Sequence, residues 1–283
     1  MPWLLVGGTL ALHHPFDPDV YLDQLTTIDV DFRATPFMLQ PKNDGTDTLI
    51  LVEIPLRNLQ AKADPAKNTQ NIHFSLAALV KDARGEVVQK VTRDRPLQVT
   101  ADQLKAGNFV EKSAVVLPPG KYSLESAVMD LEANKLGVTR SEFSIAPKSK
   151  GVGISSIAAV RAYTPNAKLD PNEPFQFQGG SITPTLNTAV PATQDAMLRL
   201  FFTIYQEPSI SAKATVEVEF LLNGQSLQKV PLPLPDADAQ GRIPYVLTIP
   251  AAAIPPGTYQ VRANAQQGST SASSATEVKI EKL

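Results

Sequence analysis

The chain has 283 residues, 43% of them hydrophobic, which is long for a single domain and too apolar for a disordered segment. Its 26 Lys+Arg are balanced by 28 Asp+Glu and are scattered, so the basic stripe that displaces phosphate counterions is lacking and nucleic acid is not an expected partner. The absence of cysteine removes disulfides, thiolate nucleophiles and cysteine-ligated zinc together.

Residues 1–27 read as an N-terminal extension. Its first part, Met1 to Leu12 (MPWLLVGGTLAL), is mostly apolar. It is shorter than the ~18 residues needed to cross a bilayer, and it lacks the cationic start and small-residue cleavage site of an export signal. An exported protein without its own signal would be the C-terminal part of something longer. His13 and His14 could ligate a metal with Asp17 or Asp19, but neighbouring side chains diverge and no i,i+4 partner supports a site.

A first β-sandwich domain is expected over 28–147. Asp29 and Asp31 fall on one face of a strand, its wet face. Leu49 to Ile54 forms an apolar strand, followed by a polar insertion around Asn58 to Asn71. His73 marks the edge of the strand Phe74 to Val80, which leads into a turn at Asp82-Ala83-Arg84-Gly85. One short helix is predicted, with Thr100 as its cap, Gln103 at the reciprocal capping-box position and Gly107 closing it. After the strand Phe143 to Ile145, the polar stretch Ala146 to Gly151 is the linker, and its shortness restricts hinge motion.

A second sandwich is expected over 152–283. An aromatic cluster of Phe175, Phe177, Phe201, Phe202 and Tyr205 could line a ligand face, although core packing is the plainer reading. Phe201 and Phe202 must point to opposite sides of a strand, so one of them faces the surface or the other domain. Thr215 to Leu222 alternates cleanly, with Val216, Val218, Phe220 and Leu222 on the buried face. Asn223-Gly224 follows at once and signals a tight hairpin. Asp236-Ala237-Asp238-Ala239-Gln240-Gly241 opens like a calcium loop, but Tyr245, Val246 and Leu247 stand where its bidentate acid is required. A polar loop is expected there, with weak metal binding at Asp236 and Asp238 left open.

Two signals recur in one order. Leu117-Pro118-Pro119-Gly120-Lys121-Tyr122 returns as Ile254-Pro255-Pro256-Gly257-Thr258-Tyr259, and each copy follows a hairpin glycine, Gly85 by 35 positions and Gly224 by 33. Leu49 to Ile54 is matched by Leu198 to Thr203. Duplicated domains are the implied arrangement. Tyr122 and Tyr259 sit where immunoglobulin-like sandwiches carry a tyrosine that turns its hydroxyl onto the preceding corner, and Gly120 and Gly257 are expected to permit the tight bend. The fold class is therefore all-β, two tandem immunoglobulin-like or fibronectin-like sandwiches. No Gly-x-Ser-x-Gly elbow or phosphate loop occurs, and Gly7-Gly8 and Gly179-Gly180 are isolated doublets. No catalytic, cofactor-binding or metal residue is assigned, and the chain is not expected to be an enzyme.

The runs Leu232 to Tyr245, Ile254 to Ala263, Asp82 to Val88 and Leu117 to Tyr122 resemble the C-terminal β-sandwich region of acidobacterial-type von Willebrand factor A-related proteins. The likeness spans about Leu49 to the C-terminus and consists of strand and turn chemistry. It implies a secreted or envelope-associated protein whose sandwiches follow a metal-dependent adhesion domain. That domain's Asp-x-Ser-x-Ser motif is not in this chain.

The functional expectation is a non-enzymatic structural or protein-interaction module, extracellular or periplasmic, whose partner is another protein or a cell-surface component. One alternative is a carbohydrate-binding accessory module, which needs exposed coplanar aromatics; the single Trp3 and 6% aromatic content count against it. Another is a two-domain periplasmic chaperone with a basic anchor between its domains, for which Arg161 and Lys168 are the candidates.

Overall fold

The computed structural model describes residues 29–282 apart from 169–172, 174 and 178. The extension, with Trp3, His13, His14, Asp17 and Asp19, lies outside the described residues.

The described chain is mostly strand, with a single short α-helix. Its first half runs through β1 (Arg33–Pro41), β2 (Thr46–Pro55), β3 (Ala61–Asp64), β4 (Thr69–Asp82), β5 (Val87–Val99), one helix α1 (Ala101–Ala106), β6 (Asn108–Leu117), β7 (Gly120–Asp130) and β8 (Lys135–Ile145). The second half begins with β9 (Gly153–Ile154), β10 (Ala158–Pro165), β11 (Gln176–Phe177), β12 (Gly180–Thr185) and β13 (Ala189–Pro191). It continues with β14 (Met197–Tyr205), β15 (Thr215–Leu222), β16 (Gln225–Leu232), β17 (Arg242–Pro250), β18 (Gly257–Gln267) and β19 (Thr270–Glu281).

In the first half the sheet β1-β2-β6 faces a sheet in which β4 pairs with β5 on one side and β7 on the other, with β8 beyond β7. In the second half the row β10-β14-β17 faces β16-β15-β18-β19. The strand order is the same in both pairs. Additions differ: β12 and β11 extend the second half beyond β10, and β13 joins β19 in parallel. The polar insertion around Asn58 to Asn71 becomes a short 3₁₀ turn followed by the hairpin β3–β4.

Each pair closes on its own core. One is built from side chains between Val30 and Ile145, the other from side chains between Val152 and Ile280. Alternation accounts for both. On β4, Ile72, Phe74, Leu76, Ala78 and Val80 all enter the first core. On β15, Val216, Val218 and Phe220 enter the second. Glu219, on the opposite face, is roofed by Lys229 and Arg262 from the flanking strands.

The turn chemistry follows the residue types. Asn223 (φ 51°) and Gly224 (φ 79°) both adopt the left-handed conformation of a type I′ hairpin. Helix α1 carries the reciprocal cap: the Gln103 amide donates to Thr100 Oγ1 at 3.2 Å, and the Thr100 amide donates to Gln103 Oε1 at 2.8 Å. The Gly107 amide then closes it on the Gln103 carbonyl.

The two Pro-Pro-Gly-x-Tyr segments adopt the same local arrangement. Tyr122 Oη donates to the Pro118 carbonyl at 2.8 Å, and Tyr259 Oη donates to the Pro255 carbonyl at 2.7 Å. Neither corner glycine has a positive φ, and a Cβ at Gly120 or Gly257 would sit 3.4 Å from the tyrosine ring that folds over it. A Cβ at that distance is in ordinary van der Waals contact, so neither backbone conformation nor the ring excludes a larger residue.

Three further expectations are corrected by geometry. Asp29 and Asp31 precede β1 and belong to no strand; the Asp29 amide instead donates to the Leu136 carbonyl. His73 lies inside β4 and not at its edge, bonded through Nε2 to Asp94 of β5 at 2.8 Å. The match of Leu49 with Leu198 is out of register by an odd number of residues. Ile50, Val52 and Ile54 face the first core, whereas Leu198, Leu200 and Phe202 face the second, so setting Leu49 against Leu198 reverses the faces.

Replacing Tyr122 or Tyr259 by Phe removes one corner hydrogen bond, and each change is expected to cost about 1 kcal/mol in urea unfolding. The double variant should lose the sum, because the corners share no partner. Burial raises the Tyr122 hydroxyl above its ordinary value of 10.0. A group raised in the folded state contributes stability in full below its unfolded value and loses it as pH climbs through the folded one. Stability should therefore decline above pH ~10, and Tyr122→Phe should lessen that decline in a pH series of unfolding midpoints.

Candidate functional site

Strands β2 and β14 carry large side chains on both faces, and their outer faces meet. Phe37, Leu49 and Leu51 from the first half form a third buried cluster with Ala158, Val160, Phe175, Ile182 and Phe201 from the second. Phe175 is fully buried and meets Phe37 edge-on at 5.4 Å between centroids. Phe201 packs against Phe175 at 6.1 Å and stacks with Phe177 at 5.6 Å. Phe177 in turn stacks with Tyr163, which is 40% exposed, so a run of rings leads from the seam to the surface.

Polar groups fasten the seam. Glu53 on β2 is only 2% exposed. Its carboxylate accepts from the Arg161 guanidinium, from the Leu186 amide, and from the Thr185 hydroxyl at 3.0 and 3.1 Å. Burial lowers the basicity of Arg161 from its ordinary 12.5; arginine nonetheless remains charged in proteins, so the contact is ionic. The Met38 amide donates to Ser156 Oγ at 2.9 Å, and the Ser156 amide donates back to the Met38 carbonyl at 2.8 Å. Lys112 pairs with Glu173 across the same seam. Beside it runs a groove of about 470 Å³, with Arg33, Thr35, Thr139, Ser156, Thr185 and Thr188 among its lining residues.

The sequence-derived candidates distribute as follows. Phe201 lies in the seam, while Phe202 turns into the second core and stacks on Tyr245 at 5.9 Å. Phe175 joins the seam. Tyr205 is buried, which pushes its hydroxyl well above the ordinary tyrosine range. Asp238 is consumed by its own turn: Oδ1 accepts the amides of Gln240 and Arg242, and Oδ2 accepts Arg242 Nε at 2.8 Å. Asp236 pairs with Lys213 at 2.8 Å. Among the described residues no His, Asp and Glu side chains gather in threes where a metal could sit. Arg161 lies between the halves, held by Glu53, and Lys168 is exposed.

Sequence reasoning missed Glu53, Ser156 and Thr185. Glu53 had a readable signal. It is the one charge in the apolar run Leu49-Ile50-Leu51-Val52-Glu53-Ile54, where an unpartnered carboxylate is costly to bury. Its partners lie 108 and more positions away and left no local trace.

The arrangement joins two sheet pairs through a shared apolar layer oriented by an ion pair whose carboxylate is buried and whose guanidinium is partly exposed. Arg161→Met should destabilise the chain by about 2–3 kcal/mol, since it strands the Glu53 carboxylate. Adding Glu53→Gln should recover most of that loss. A double-mutant cycle in urea checks the coupling; equal and additive losses would show that the pair is not one unit.

No family model matches the chain, and no curated protein matches it at a significant level.

Proposed function

We propose that the chain is a non-enzymatic module of an exported or envelope protein: two tandem immunoglobulin-like sandwiches, spanning about 28–147 and 152–283, fused into one stiff piece that presents strand edges and loops to another protein or cell-surface component. The observation that carries this reading is the seam. A buried aromatic layer with Glu53 inserted in it holds the halves in one orientation, as a spacer or docking platform requires. The common strand order and the paired tyrosine corners support a duplication. The resemblance to the sandwich region of von Willebrand factor A-related proteins fits the same role.

The presenting surface is best sought at the edge of the first half. Val87 and Val88 on β5 are 43% and 41% exposed, and Val116 on β6 is 44% exposed. Strand β5 pairs only with β4 among the described residues, which leaves its other edge without a neighbouring strand. The chaperone alternative is weakened because Arg161, its basic anchor, is engaged by Glu53. The carbohydrate alternative keeps one supporting feature, the exposed Tyr163 ring stacked on Phe177.

Immobilised chain should retain a defined envelope protein and release it when Val88→Lys and Val116→Lys are introduced together. Saturable polysaccharide binding that survives those changes and is lost with Tyr163→Ala would overturn this reading in favour of glycan recognition.

A further inference from the structure

The groove beside the seam follows β1 from Arg33 to Met38 and encloses about 470 Å³. Both halves line it, Thr139 of β8 from the first and Thr188 and Thr276 from the second. Among its lining residues Arg33 is the one charged side chain. Arg33 stands opposite Glu53 in the β1–β2 ladder, where an acid and a base ordinarily pair. Glu53 is already engaged, its carboxylate held by Arg161, the Thr185 hydroxyl and the Leu186 amide. Arg33 is therefore left without an acidic partner among the described residues. The Thr139, Thr188 and Thr276 hydroxyls likewise make no hydrogen bond among the described residues, and all three side chains are half-buried.

The β1 edge does not suit an added peptide strand. Met38 uses both of its backbone groups on Ser156, and Pro36, on the same edge, has no amide to donate. Recognition then rests on side chains, and a guanidinium beside free hydroxyls is a donor set for an oxyanion carried on a hydroxylated ligand. One guanidinium matches the single charge of a carboxylate, whereas the second charge of a phosphate would meet the neighbouring Glu53 carboxylate. The cavity has the size of a small-molecule site, on the order of 300–1,000 Å³, and lies at a junction of two folded units, where such sites concentrate. We propose that the groove binds a small hydroxylated carboxylate of the sugar-acid class, with its carboxylate on Arg33 and its hydroxyls on Thr139, Thr188 and Thr276.

The site goes beyond the docking role and does not rest on the β5 edge. Its residues come from the two sides of the seam, so a bound ligand favours the closed arrangement and stabilises the whole chain by mass action. Tyr163 is not among the lining residues, which separates this site from recognition on the exposed ring.

Titration calorimetry of the full chain at fixed ionic strength provides the test, with D-glucuronate and D-galacturonate as probes. Glucose, acetate and inorganic phosphate serve as controls for the hydroxyls alone, the carboxylate alone and a different anion. The expected result is saturable binding of at least one uronate, a raised urea midpoint at saturation, and affinity for each control weaker by about tenfold or more. Arg33→Gln should weaken uronate binding by about tenfold or more, and Thr188→Val with Thr276→Val by a smaller factor. Far-UV circular dichroism and the ligand-free urea midpoint report that these variants keep the fold. Tyr163→Ala and the Val88→Lys, Val116→Lys pair should leave uronate binding unchanged, so failure here is distinct from failure of the docking reading. Absence of saturable binding by either uronate, equal affinity for glucose, or binding that survives Arg33→Gln or is lost with Tyr163→Ala would each overturn the proposal. Phosphate binding more tightly than both uronates would overturn it in favour of a simple anion site.

Discussion

The structure depends on two strands being buried on both faces. Strand β2 sends Ile50, Val52 and Ile54 into the first core and Leu49, Leu51 and Glu53 into the seam. Strand β14 does the same with Leu198, Leu200 and Phe202 on one side and Phe201 on the other. A sandwich normally wets its outer faces, which leaves the relative placement of neighbouring domains to a flexible linker. Here the outer faces of β2 and β14 are buried, and the linker has little left to decide.

Glu53 gives that contact its direction. Apolar surfaces tolerate many ways of being laid together, because burial is non-directional. A carboxylate at 2% exposure is far less tolerant. Only an alignment that brings Arg161, Thr185 and the Leu186 amide to its two oxygens leaves it satisfied. The buried charge adds little net stability by itself, but it penalises every alternative placement of the halves.

Local chemistry was legible in the sequence and long-range chemistry was not. Asn223-Gly224, the capping box at Thr100 and Gln103, and the alternation of Thr215 to Leu222 could be read because each is settled within a few residues. The Pro-Pro-Gly-x-Tyr corners can be read for the same reason, and in both the tyrosine hydroxyl reaches the carbonyl four residues back. Strands β2 and β14 defeated the reading because both faces are apolar. With no alternation to fix the register, pairing Leu49 with Leu198 by sequence likeness reverses the faces. His73 reads as a strand edge because polar residues on the wet face of β4 look like the end of a strand. The parallel β13–β19 pairing joins Ala189 to Lys279, too far apart in sequence for any pattern to announce it.

The central claim is that the seam makes one mechanical unit of two sheet pairs that each possess a complete core. Differential scanning calorimetry of the whole chain tests it most directly, since multidomain chains commonly depart from two-state behaviour. The account predicts a single endotherm whose calorimetric and van't Hoff enthalpies agree. Two resolved endotherms, each with the enthalpy of half the chain, would show that the halves melt independently and that the seam does not bind them.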